Sequence, residues 1–195
     1  MQSLNGANAR YKKSEIDFQM TEKMEAYNKL LEQWLKYYGF EPVNVHADAG
    51  ADKVFKRSRA QASKFGMVDT YCCIKYMHEG ATGDEMKAFS AKMFELCSRH
   101  RSGAPLGFGA MLVVYPLIIT ENFSNELAAF LRTYSSKHFA AAEFPSAIDL
   151  ATGSLYYYEN TPFWGYLYYS GFRKEVYSLY SPRSWEEIAK TNSKK

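Results

Sequence analysis

The chain lacks most of the features that mark a specialised location or chemistry. Its 195 residues include only three cysteines, Cys72, Cys73 and Cys97, two of them adjacent. An odd count without framework spacing excludes a disulfide scaffold and fits a reducing, cytoplasmic setting. No apolar run reaches the roughly 20 residues that a membrane-spanning helix needs. The most apolar stretch, Met111 to Thr120, is interrupted by Pro116. The polar segment Met1 to Lys13 reads against a secretory leader.

Metal and cofactor signatures are missing too. His46, His78, His100 and His138 are scattered singly, with no His-x-x-x-His and no Cys-x-x-Cys. Cys72 and Cys73, neighbours on a strand, point to opposite faces and cannot hold one ion together. The loop Gly103-Ala-Pro-Leu-Gly107-Phe-Gly109 follows a helical pattern and precedes a strand, the reverse of a phosphate cradle. No Gly-x-Ser-x-Gly elbow is present. The expectation is therefore no bound metal and no cofactor.

Charge of one sign is also scarce where it would matter. The formal net charge is +3, from 24 basic and 21 acidic residues. Six of the basic residues lie in the ends 1–13 and 188–195, which carry no acid, so the middle holds 18 basic against 21 acidic residues, a net of −3. That distribution argues against a nucleic-acid surface. One exception is the acid-free run Lys53 to Lys64, with Lys53, Lys56, Arg57, Arg59 and Lys64. It reads as a solvated face, and reversing Lys56 and Arg57 would then leave stability nearly unchanged.

What is present is a regular alternation of elements. Ser14 with Asp17, or Thr21, can cap a helix whose apolar stripe runs Met24, Tyr27, Leu30, Leu31, Trp34, Leu35, Tyr38. Pro42 to Val45 suggests a short strand, and Asp48 to Ser63 a loop with a short helix. Val68 to Met77 and Met111 to Thr120 are buried strands, the second bulged or shortened at Pro116. Between them, Thr82 and Glu85 form a capping box ahead of Met86, Phe89, Met93 and Cys97. Asn122 or Ser124 opens a third helix. Glu143 to Leu150 and Leu155 to Tyr158 form a hairpin, and Thr161-Pro162 starts a last helix ending near Tyr180. The fold expected is a single α/β domain over 14–187. It has a partly parallel sheet, an antiparallel C-terminal hairpin and about four helices, with a polar arm (1–13) and a basic tail (188–195).

Two sets of residues are candidates for function. Asp69, Glu143 and Asp149 lie on or beside predicted strands and could share a magnesium ion in a nuclease or other hydrolase. The one acid-x-Lys sequence, Glu85-Met-Lys87, falls in a helix start instead. His138, near a helix end and an acid, is a weaker catalytic candidate, with helix capping as its structural alternative. The second set is compositional: Tyr156 to Tyr180 holds eleven aromatics in 25 residues. Trp164, Tyr168, Tyr169 and Phe172 are its candidate contact residues, since tyrosine-rich surfaces suit interfaces and ligand clefts. The leading expectation is a non-enzymatic module acting through protein contacts. Its own homodimer is the first partner, another protein or a small-molecule ligand the next. The alternative is the hydrolase.

Overall fold

The computed structural model describes residues 18–44, 50–61, 66–101 and 103–193, with the backbone alone at 164. The arm 1–13, Ser14, Asp17, His46, Lys64 and the Trp164 side chain thus lie outside the described residues.

Thr21 opens α1 (Glu22–Tyr37), its hydroxyl accepting from the Met24 amide. Met24, Tyr27, Leu31 and Leu35 are buried as their spacing predicts, whereas Leu30 is exposed. The strands β1 (Glu41–Val43), β2 (Lys53–Gln61) and β3 (Gly66–Met77) follow as an antiparallel meander. The capping box at Thr82 and Glu85 starts α2 (Gly83–His100), and β4 (Ala110–Thr120) then pairs parallel with β3. Ser124 caps α3 (Asn125–Thr133). Two short strands, β5 (Ala141–Glu143) and β6 (Ser146–Asp149), both run parallel to β4, and β7 (Ser154–Tyr157) closes an antiparallel hairpin with β6. The chain ends in α4 (Tyr169–Tyr180) and α5 (Pro182–Asn192). The result is one mixed seven-stranded sheet in the order β1-β2-β3-β4-β6-β7, with β5 also paired to β4.

Helices cover both faces, which is why β3 and β4 are apolar on both. One face packs Cys72, Ile74, Tyr115 and Phe144 against α1, α4 and Trp185 of α5. The other packs Tyr71, Cys73, Leu112 and Val114 against Met86, Phe89 and Met93 of α2 and Leu127 and Leu131 of α3. A ladder of tyrosines threads the first core. The Tyr27 hydroxyl donates to the Tyr180 carbonyl, the Tyr180 hydroxyl to the Tyr115 carbonyl, and the Tyr115 hydroxyl to Glu175. Buried phenols need such partners.

Four expectations need correction. Residues 53–61 form β2 rather than a loop and helix. The strand pattern was hidden because its charges are paired with partners, and that of Arg57 is buried. Lys53 pairs with Glu32 of α1, Lys56 with Asp69, and Arg57, only 7% exposed, with Glu175 of α4. Of the described cations in the run only Arg59 is exposed, so residues 53–57 are not a plain solvated face. Pro116 neither bulges nor ends β4. The neighbour changes instead: β5 pairs with residues up to Val114 and β6 with those from Leu117, so the missing N–H falls in the gap. The last helix does not start at Thr161. A 3-10 turn (Phe163–Gly165) comes first, because a regular helix there would present aromatics all round, and α4 begins only at Tyr169. Finally, α5 runs on into the expected tail as far as Asn192, the fifth helix among the described residues.

Candidate functional site

The three candidate acids sit on one side of the sheet, the α2 side, but each is tied up locally. Asp69 pairs with Lys56 at 3.3 Å and accepts from the Ser58 hydroxyl at 2.5 Å. Asp149 accepts from the Ala151 amide at 2.9 Å and the Thr152 hydroxyl at 2.7 Å, which is turn chemistry. Glu143, 4% exposed, accepts from Ser90 Oγ and Tyr134 Oη, both at 2.8 Å. Asp69 lies opposite Leu112 and Glu143 opposite Val114, on either side of β4, so about 10 Å of sheet separates their strands. Asp149 lies opposite Thr120, six residues beyond Val114 on β4, or about 20 Å of strand. Among the described residues no three His, Cys, Asp or Glu side chains form a group that could hold a metal ion.

His138 is five residues past the end of α3, so it caps no helix; the Tyr134 backbone does that. Its ring stacks on Phe94, with centroids 3.8 Å apart, and its Nε2 lies 3.5 Å from Glu143 Oε1. The loop that carries it is bent tightly: Ala140 holds φ at 49°, which a non-glycine residue adopts at a cost.

His138 lines a cavity of about 350 Å³ at the end of the sheet where β4 and β5 begin. Met111, Ala142, Tyr169 and Phe172 form its apolar floor, with Gly107 and Gly165 at its edges. Tyr169 is 2% exposed, and burial pushes its phenol up to about 12. Gly107 must be glycine twice over. Its φ is 82°, and a Cβ there would lie 2.5 Å from the Phe139 ring.

Around the mouth stand the most exposed of the described large apolar side chains. Phe108, Phe139, Phe163, Tyr166 and Leu167 are between 77% and 100% exposed, and the next, Tyr37, is 61%. Phe139 lines the cavity, Phe108 and Tyr166 adjoin lining residues, Phe163 lies two residues before Gly165, and Leu167 lines the neighbouring cavity beyond Tyr168. They form an aromatic collar.

The four contact candidates from sequence divide accordingly. Tyr169 and Phe172 are core residues, and Tyr168 is half-buried between the collar and α4. The exposed members of that segment are instead Phe163, Tyr166 and Leu167, which were not among the sequence candidates. Sequence reasoning also missed Phe108 and Phe139, whose only signals are flanking glycines and the neighbouring His138. No family model, curated protein or solved structure matches this chain.

Proposed function

We propose that this chain is a non-enzymatic α/β module that works through protein contacts, the first of them with a second copy of itself, through the aromatic collar. The observation that carries this reading is the exposure of Phe108, Phe139, Phe163 and Tyr166 on or within two residues of the lining of one cavity, with Leu167 on the cavity beside it. Monomers rarely leave contiguous apolar surface above a few hundred Å². Four aromatic rings alone offer roughly 600–1,000 Å², about the 800 Å² per partner of a stable interface. The cavity lining contains no Lys, Arg, Asp or Glu, so nothing in it selects a charged partner. A two-fold contact requires one patch to be its own complement. This patch carries both projecting rings, Phe163 being 100% exposed, and a hollow.

The test is sedimentation equilibrium. The parent should be dimeric, and Phe163→Ser combined with Tyr166→Ser should be monomeric with unchanged circular dichroism and a melting temperature no longer dependent on protein concentration. A parent that stays monomeric at every accessible concentration would overturn the reading. Three free, buried thiols support a reducing, cytoplasmic setting. Among the described residues no helix is long and apolar enough to cross a membrane.

A second reading, the hydrolase, is favoured by one pair only. Glu143, held by Ser90 and Tyr134, lies 3.5 Å from the Nε2 of His138, which lines the cavity and whose buried Nε2 has no hydrogen-bond partner among the described residues. The metal-dependent version through Asp69, Glu143 and Asp149 has no such support. Hydrolysis of an aromatic ester, abolished in His138→Gln, would favour the enzyme; turnover that survives the substitution would remove His138 from consideration.

A further inference from the structure

A second cavity, of about 670 Å³, opens on the other side of Tyr168, between α4, β2 and the end of α1. It is unlike the collar. Its walls include Tyr38, Arg57, Gln61, Gly171, Lys174 and Glu175. We propose that this cleft binds a small organic anion with a flat aromatic body.

The charge argument starts from Arg57, whose side chain is more than nine-tenths buried. One arm of its guanidinium pairs with Glu175 Oε1 and another reaches the Tyr38 carbonyl at 3.3 Å. The other oxygen of Glu175 accepts the Tyr115 hydroxyl at 2.7 Å. Glu175, the only carboxylate among the described residues of the cleft, is therefore occupied at both oxygens and neutralised. Lys174 remains. It is exposed, lines the cleft and forms no ion pair among the described residues. Arg59, bonded to the same Tyr38 carbonyl at 2.6 Å, adds a third cation at the edge. A pocket with that balance favours an anion over a neutral or cationic guest.

The shape argument rests on Gly171. It is the third residue of α4, in the first turn of a helix, an element in which glycine is disfavoured. No φ requirement and no neighbour explains it, since a Cβ at this position would meet nothing within 4 Å. What a side chain there would do is project into the cleft. Gly171 keeps open a space whose other walls, Tyr38 and Tyr168, are aromatic. Flat rings pair with such walls, and the cleft volume is that of an ordinary small-molecule site. Gly171, Lys174, Glu175 and Ser178 recur at helical spacing, so one face of α4 forms the whole of one wall.

Ligand titrations followed by NMR test this with two matched probe pairs, adenosine 5′-monophosphate with adenosine and 2-naphthoate with 2-naphthamide. At least one anion should bind ten-fold or more tightly than its neutral counterpart and shift the amides of Arg57, Gln61, Gly171 and Lys174. Which anion does so names the head group, phosphate or carboxylate. Lys174→Glu should weaken that binding ten-fold or more, and Gly171→Leu should abolish it. Both positions are exposed, so unchanged circular dichroism and oligomeric state are expected and separate this result from any failure of the collar interface. Equal binding of the neutral partners, binding that survives Gly171→Leu, or no binding by any probe at millimolar concentration would each overturn the proposal.

Discussion

The basic strand β2 and the aromatic segment from Phe163 to Phe172 are the two most conspicuous runs in this chain, and the fold treats them in opposite ways. Every described cation of β2 finds an acceptor on another element. Lys53 reaches Glu32, Lys56 reaches Asp69, Arg59 reaches the Tyr38 carbonyl, and Arg57 reaches Glu175, 118 residues away. The aromatic segment finds partners for only part of itself. Tyr169 and Phe172 enter the core, while Phe163, Tyr166 and Leu167 stay in solvent. A charge run suggests a surface and an aromatic run suggests a core, yet here the charges are paired and two of the five described aromatics, Phe163 and Tyr166, stay exposed. What decides is whether the rest of the fold delivers a partner.

The sharpest way to break that contrast is to reverse Arg57. Removing one member of a buried pair costs about 3–5 kcal/mol, and Arg57→Glu also sets a second carboxylate against Glu175. The loss of stability in urea should exceed that range. Lys56→Glu should cost less, roughly 1–2 kcal/mol, between the values for surface and buried pairs. Its partners are more open, at 25% and 11% side-chain exposure. Equal, negligible costs for the two would return the strand to the status of a wet face.

Within the aromatic segment the same contrast is drawn by two phenylalanines nine residues apart. Phe172→Ala should cost about 3–5 kcal/mol, since Phe172 is 2% exposed and packs on Tyr115 and Phe144. Phe163→Ala should change stability by no more than about 0.5 kcal/mol and act on association instead. Denaturant melts and sedimentation on both variants give the answer.

Tyr180 belongs to the aromatic stretch by sequence but to the partnered class by structure, and alkaline titration shows which governs. Burial raises the phenols of Tyr27, Tyr115 and Tyr180 well above their ordinary 10.0; Tyr76 adds to this for Tyr27, Glu175 for Tyr115 and Cys72 for Tyr180. A raised folded-state value means the protonated phenol is favoured by folding. The contribution is complete below pH 10 and is lost as pH climbs through the folded values. Ultraviolet titration should find these three ionising only together with cooperative unfolding. Their ionisation in an intact fold at pH 10 would break the ladder.

Much of the architecture was legible because it rests on local rules. The capping box at Thr82, the stripe of α1, the apolar β3 and β4 and the final hairpin are all set by spacings within one element. The misreadings share one cause, partners supplied from far away in the chain. β2 looks like a loop until Glu32, Asp69 and Glu175 arrive, and Pro116 looks like a strand breaker until β5 gives way to β6 beside it. The candidate site was less legible. The aromatic composition pointed to the segment, but which rings face outward depends on the break before Tyr169. That break, and the approach of Phe139 to Gly107, are tertiary events.

The smallest expected effect has the opposite sign. Gly171→Ala should stabilise the protein, by roughly 0.5–1 kcal/mol, the difference between glycine and alanine inside a helix. The gain should appear in full because the new methyl meets nothing within 4 Å and the backbone there is ordinary helix. Neither face of the comparison is disturbed. Gly171 contributes no side chain to the core and lines the charged cleft rather than the collar cavity. Association should therefore be unchanged while the thermal midpoint rises by a few degrees. A destabilised Gly171→Ala variant would mean that this glycine answers to a packing constraint of the fold. The cleft would then be a by-product of that constraint, not the reason for the glycine.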